Sequence, residues 1–354
     1  MSRALLVTLC VFTSVASADP ATQARAVEDA LVGAEPKLHR CWEQAAAIDY
    51  RVEGQIELRV IVGAGGRAAR VEVQGTSLGK KELEACALRA FADASFGTAF
   101  EPGDSVEVPI TFKAEPNVTL KQKDAPELAM KGTQASARIL VDEKTAGATR
   151  ASLTFVEIAG GSRWMRPNTT GTAVIYVNKG RAKVGSSAVT QGDVVIFAEG
   201  SAHPMQASMR TELLVLLTPP GGEQAYRDGA TMGPTASGPE PRVIKSSSEQ
   251  KLSILDGKGE VRLLLEKDRS SVARMRLSPG TTVPEHAHGA EAEILYFLNG
   301  KGDMTVDGTK YPVEPFMAVH VPPGVKHTFT VTSEQSVEVI QFYAPSGPEQ
   351  RFKK

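Results

Sequence analysis

The sequence predicts a mainly β chain: two tandem copies of one β-barrel domain, preceded by a small α+β module. Three observations carry this. In 354 residues there are 32 Gly and 21 Pro but only 6% aromatic side chains, a balance that favours many turns and short strands over a helical bundle. Two stretches in the second half repeat each other. The first hundred residues alternate between helical spacing and period-two spacing. The length exceeds one core of ordinary size, so two or three domains are expected. A formal net charge of −1 removes any electrostatic case for binding nucleic acid or an anionic membrane.

The N-terminus reads MSRALLVTLCVFTSVASADP. Arg3 gives a positive start, Ala4 to Val15 is apolar, and Ala16-Ser17-Ala18 fits a small-residue cleavage site before Asp19. Residues 1–18 are therefore expected to be a signal peptide. The apolar run is short for a membrane span, and Leu9 is too large for the residue before a lipoprotein cysteine, so Cys10 reads as part of the leader. The expected location is periplasmic or secreted, with no membrane span after cleavage. An uncleaved anchor or a wrong start codon is the competing reading. Cleavage leaves Cys41 and Cys86, and two cysteines in an oxidising compartment point to one disulfide; two separate buried thiols are the alternative.

From 21 to 46, Ala26, Val27, Ala30, Leu31, Leu38, Cys41 and Trp42 recur at helical spacing. GQIELRVIVGAGG and RAARVEVQG alternate as strands, Leu83 to Phe91 returns to helical spacing, and SVEVPITF (105–112) is a third strand. Gly63, Gly65 and Ala68 imitate a dinucleotide-binding G-x-G-x-x-A turn. That chemistry needs a helix N-terminus directly after the glycines, whereas ARVEVQG alternates as a strand, so a hairpin turn is expected. The order helix, hairpin, helix, strand over roughly 25–113, with VEGQIELRVIV, VPITF, Cys41-Trp42 and Cys86, resembles the C-terminal domain family of TonB-like and gliding-motility-associated periplasmic proteins. The resemblance implies an interaction module, with a periplasmic protein partner, over residues 19–113. Residues 114–135 and 227–242 read as linkers. Two Asn-x-Thr triplets, at Asn117 and Asn168, are short enough to arise by chance.

The repeat aligns TPPGGEQAY (218–226) with APSGPEQRF (344–352), and AVIYVNKG (173–180) with EILYFLNG (293–300). Pro219 and Pro345 are 126 apart, Gly180 and Gly300 are 120 apart, and loop insertions account for the drift. The two copies are placed at 136–226 and 243–354.

The chemistry lies in the second copy, in GTTVPEHAHGAEAEILYFLNG (280–300). His286 and His288 are two apart, so on a strand they share a face, and Glu293 returns to it after a turn. In VPPGVKHTF, Pro322 and Gly324 turn the chain and His327 opens the next strand. Three imidazoles and a carboxylate suit one divalent first-row transition metal (Mn, Fe, Zn, Ni or Cu) with room left for water or a small molecule. A bland polar strand is the competing reading. The spacing G-x5-H-x-H-x4-E-x6-G, then P-x-G-x2-H, resembles the two motifs of the cupin superfamily, a β-barrel fold that usually carries one metal. The resemblance implies that His286, His288, Glu293 and His327 are the ligands. Phe316 and Val331 depart from the second motif at positions that are not ligands. By alternation Leu295 and Phe297 share Glu293's face and Phe329 shares His327's; Gln341 and Tyr343 reach the site from the last strand. Core packing is the competing role for all of these, favoured for Leu295 and Phe329. Glu285 should face away from the ligands.

Aligned on Gly161 and Gly180, the first copy has Pro167, Thr169 and Ala173 at ligand positions and keeps only His203, which fits a hydrogen-bonded barrel residue better than a ligand. It reads as a metal-free cupin. His320 alternates with Val319 and Val321 and is expected at the surface; His39 is expected in solvent. The function expected is binding or sensing of a small molecule at the metal of the second barrel. The alternative is a metal-dependent enzyme, a dioxygenase, isomerase or decarboxylase acting on a small organic acid or sugar.

Overall fold

The computed structural model describes residues 19–353 apart from 47, 50, 114–117, 167–170, 230–235, 249 and 266–268; the expected leader, and Pro167 and Thr169, lie outside the described residues. The chain divides into two compact units, Met1–Pro116 and Asn117–Lys354.

In the first unit the helix Pro20–Ala46 begins at Asp19, whose carboxylate accepts from the Ala21 and Thr22 amides at 2.9 and 3.2 Å, meeting donors that a helix start leaves unpaired. Its buried stripe of Val27, Ala30, Leu31, Ala34, Leu38, Cys41 and Trp42 follows the expected spacing. It packs beside the helix Lys81–Phe91, and the Cys41–Cys86 disulfide joins the two, with Cα atoms 5.7 Å apart. The antiparallel sheet orders Ala68–Thr76, Gly54–Val62 and Ser105–Phe112. Ile56, Leu58, Val60 and Val62 alternate inward. The glycine-rich turn is a hairpin connection, as expected. A Cβ at Gly66, which has φ +71°, would sit 1.7 Å from the Gly97 carbonyl oxygen, so no other residue fits there.

The second unit holds two copies of one double-sheet arrangement, with antiparallel pairing throughout. In the later copy a seven-stranded sheet runs Gln250–Ile254, Gly259–Leu265, Ser271–Leu277, Val337–Ala344, Ala292–Asn299, Met317–Val321, Thr119–Lys121. It faces a four-stranded sheet of Thr282–His286, His327–Val331, Gly302–Val306 and Thr309–Val313. The earlier copy repeats the order, from Arg242–Ile244 and Val194–Phe197 through Thr172–Lys179, Thr211–Thr218 and Ser152–Ile158 to Ala135–Val141 and Leu128–Ala129. Each interior has its own apolar core. A third core, including Phe155, Val174, Tyr176, Ile294, Tyr296 and Phe342, joins the outer faces of the two large sheets. The repeat extends to detail. Thr218–Pro219 and Ala344–Pro345 are both cis. Just beyond each, a buried glutamate accepts from the hydroxyl that opens an inner strand, Glu223 from Ser152 and Glu349 from Ser271.

Two expected boundaries are corrected. The stretch 114–135 is not simply a linker: Thr119–Lys121 pairs with Met317–Val321 of the later barrel, and Leu128–Ala129 pairs with Ala135–Val141. Likewise Arg242–Ile244, placed at the join of the second linker and the second copy, adds to Val194–Phe197 of the earlier barrel. Each added strand is two or three residues long, too short to show a period. His320 is also corrected. It points away from its own barrel's interior, as expected, but the other barrel covers that face. It shares a side with Ala318, stands opposite Ile294, and is 5% exposed.

Candidate metal centre

The four expected ligands converge. His286 closes the strand Thr282–His286, His327 opens His327–Val331, and the two are register partners across that pair. His288 follows in the turn, and Glu293 comes from Ala292–Asn299 in the opposing sheet. One nitrogen from each of His286, His288 and His327 lies within 4.8 Å of the others. The Glu293 carboxylate oxygen Oε2 stands 3.0 Å from His327 Nε2 and 3.4 Å from His288 Nε2. His288, Glu293 and His327 are 2–3% exposed.

Local backbone aims the rings. His286 Nδ1 lies 2.8 Å from the Pro284 carbonyl and His327 Nδ1 lies 3.0 Å from that of Val325. A carbonyl can only accept, so Nδ1 carries the proton and Nε2 keeps its lone pair for the centre. His288 has both ring nitrogens buried without a hydrogen-bond partner, and His327 Nε2 is likewise orphaned. Buried, unpartnered imidazole nitrogens pointing at one carboxylate fit a bound cation better than any internal hydrogen-bond scheme. A set of three imidazoles and one carboxylate is suited to a divalent transition metal.

The electrostatics agree. Burial opposes the charge on Glu293, yet the imidazoles of His288 and His327 beside it hold the carboxyl well below the usual carboxylate range. Burial lowers the His286 pKa, favouring the neutral ring a metal needs. Burial also works to lower that of His327, but Glu293 outweighs it and the net direction is up. Gln341 Nε2 donates to Glu293 Oε1 at 3.1 Å, fixing the oxygen that does not face the histidines. The Tyr343 ring stands edge-on to His288, with centroids 5.2 Å apart, and burial followed by the charge of Glu293 keeps its phenol protonated.

Beside the cluster is a cavity of about 70 Å³. Phe297, Gln341 and Tyr343 line it as expected, and so do Leu295 and Phe329, for which core packing was the favoured role. Met275, Met304 and Phe352 also line it and were missed. Phe352 was signalled only by its place in the repeat, opposite Tyr226. Glu285 faces away, 3.7 Å from Lys326 in an exposed pair. In the earlier barrel Ala173, opposite Leu217, takes the place of Glu293, opposite Tyr343. His203 there lies 3.4 Å from the Gly238 carbonyl and 3.7 Å from Glu240, a hydrogen-bonded barrel residue as expected.

Comparison with known proteins agrees with this geometry. The family model described as Cupin domain matches residues 273–343. An oxalate-binding protein of Thermotoga maritima is 32% identical over 108 residues, covering 28% of this chain and 89% of that protein. Polyketide synthase CurC of Streptomyces cyaneus is 22% identical over 73 residues, covering 21% of this chain and 47% of that protein. Among solved structures, Bacillus subtilis oxalate decarboxylase, a protein described with Mn(II) centres, superposes with a TM-score of 0.52 at 15% identity over 67% of this chain and 79% of that one. The formate complex of Lactobacillus farciminis oxalate decarboxylase gives 0.54 at 14% identity over 67% and 88%. At these identities the structural likeness establishes the mainly β, bicupin-like architecture and nothing finer. With a relative matched at 32% identity across most of its own length, the chain belongs to the cupin superfamily.

Proposed function

We propose that this protein binds a small organic anion of oxalate's class through a divalent metal held by His286, His288, Glu293 and His327, and that it is a binding or sensing protein rather than an enzyme. The observation that carries the reading is the composition of the cavity wall. Apart from the ligands, the polar groups lining it are Gln341 and Tyr343, and both are already engaged with Glu293. Among the described residues no further side chain there is placed to shuttle a proton. The size fits a small ligand: about 70 Å³ takes roughly five water-sized groups at ~10–15 Å³ each. The sign fits an anion. A divalent ion outweighs the single carboxylate, and the Arg351 guanidinium reaches the Ala287 carbonyl at 3.4 Å, close enough to be felt by His327 and Tyr343. Bound there, the metal would anchor ligand oxygen atoms; the chain's own residues orient the carboxylate of Glu293 and exclude water.

The proposal includes export. The leader-like sequence and the disulfide, a bond favoured in oxidising compartments, support a periplasmic or secreted location. The TonB-like resemblance of the first unit, resting on its helix–hairpin–helix–strand order, supports docking to a periplasmic protein. Among the described residues no helix is long and apolar enough to cross a membrane. Fractionation with N-terminal sequencing tests this: mature protein should begin at Asp19.

The alternative is a metal-dependent enzyme acting on the same class of small acid. Reloading stripped protein with Zn2+ or Fe2+ separates the two. Oxalate affinity should be similar with either metal, with neither O2 uptake nor CO2 release. Iron-dependent O2 consumption, or conversion of oxalate to formate and CO2, would replace binding with catalysis, because Zn2+ cannot exchange electrons.

A further inference from the structure

The earlier barrel lacks the ligand set, yet its interior is not inert. Its small sheet pairs Met205 with Trp164 where the later barrel pairs Phe329 with Val283. Trp164 therefore stands at Val283's position, and Arg166 follows two residues on, just beyond the end of its strand. Tyr226 occupies the place of Phe352, which lines the metal cavity. Thr154, opposite Val215, takes the place of Ala273, opposite Gln341.

These four side chains are buried as deeply as the metal cluster: Trp164 and Thr154 are 0% exposed, Arg166 and Tyr226 2%. Trp164 Nε1, Tyr226 OH and Thr154 Oγ1 have no hydrogen-bond partner. The Arg166 guanidinium lies over the Phe197 ring at 5.8 Å and donates to the carbonyls of Ser201 at 2.8 Å, Gly171 at 3.2 and 3.3 Å, and Ala198 at 3.3 Å. Its acceptors among the described residues are thus all uncharged. Arg227, half-buried in the same barrel, contrasts with it by pairing with Asp142 at 2.7 Å. Glu223 is not the missing counter-ion: its oxygens take the Ser152 hydroxyl and the Gly221 amide, as Glu349 takes Ser271 and Gly347 in the sister barrel. A buried cation without an anion is costly, and so is each orphaned donor. One acceptor-rich anion would relieve all of these costs together.

We infer that the earlier barrel binds a small organic carboxylate without metal, held by Arg166, Trp164 and Tyr226. The guanidinium supplies the charge and the one Nη1 N–H that its four bonds to the Ser201, Gly171 and Ala198 carbonyls leave over. The indole N–H and phenol O–H complete the donor set, and the barrel core around them, Ile175, Val177 and Leu213 among it, is apolar. The site rests on the earlier barrel alone and is independent of the metal centre.

The test uses the full chain carrying His327→Ala and stripped with chelator, so that the later barrel contributes no metal-borne binding. Oxalate, acetate and inorganic phosphate are titrated in turn, followed by calorimetry and by tryptophan fluorescence. The expected result is a saturable fluorescence change with a carboxylate, absent in Trp164→Phe, with affinity lower by about ten-fold in Tyr226→Phe, the loss of one buried hydrogen bond. Phenylalanine is tolerated there, since Phe352 fills the matching place. Arg166→Lys, checked for folding by circular dichroism, should weaken binding further. No saturable signal at millimolar carboxylate, saturation by phosphate alone, or affinity unchanged in Tyr226→Phe would each overturn the inference.

Discussion

His320 should make the two-barrel unit acid-labile by an amount the structure sets. Its imidazole is packed into the core between the barrels, and burial pushes its pKa down from 6.5 to about 4. The folded state therefore keeps it neutral while the unfolded chain protonates near 6.5. Between these values the unfolded state binds more protons, so stability is complete above pH 6.5 and falls as pH drops toward 4. The cost is about 2 kcal/mol at pH 5 and about 3 kcal/mol below pH 4. For a unit of this size, 2 kcal/mol corresponds to roughly 4–8 °C in melting temperature. The perturbation is His320→Leu, which removes the titration. Wild type and variant, both stripped of metal, are melted at pH 7 and pH 5. The variant's loss between the two should be smaller by about 2 kcal/mol, whatever its stability at pH 7. Equal losses would refute the assignment of a buried, neutral His320.

The metal centre predicts one divalent metal per chain by elemental analysis, lost in His286→Ala and in His327→Ala; two metals per chain would mean that the earlier barrel had been misread. Gln341→Leu frees the outer oxygen of Glu293 and should lower metal affinity by about 10–100-fold, measured by chelator competition, with the fold intact by circular dichroism. Thiol titration of denatured, unreduced mature protein should find no free thiol. Replacing Cys41 and Cys86 by Ala should destabilise the first unit by about 4 kcal/mol, given their sequence separation of 45 and the chain-entropy relation; an unchanged denaturation midpoint would count against that estimate.

The convergence of His286, His288, Glu293 and His327 was legible because metal chemistry constrains residue type and spacing together, and because residues two apart on a strand share a face. The same alternation placed Phe297, Gln341 and Tyr343. Met275 and Met304 were not legible, since an inward methionine reads as core whether it lines a cavity or fills one. His320 was misplaced for a related reason: alternation gives the side of a strand but not what covers that side, and here a second barrel does. The strand Thr119–Lys121 has one buried residue, Leu120, so it carries no period to find. Arg166 passed unnoticed because a lone arginine beside a loop is normally solvated; only its partners reveal its burial.

The exchange of short strands between the copies has a consequence for inheritance. The segment leading into the earlier barrel completes the later barrel's sheet, where Gln122 Oε1 also accepts from Tyr296. The segment leading into the later barrel completes the earlier one's, where Asp193 takes Lys245 and the Ser246 amide. Each copy is finished by its sibling's leader, as in a swapped dimer whose subunits have been fused. Deleting either copy would strip an edge strand from the other and expose a template for aggregation. A barrel without its sibling's set of metal ligands still supplies the strand that completes its neighbour, so neither copy can be dropped without damage to the other.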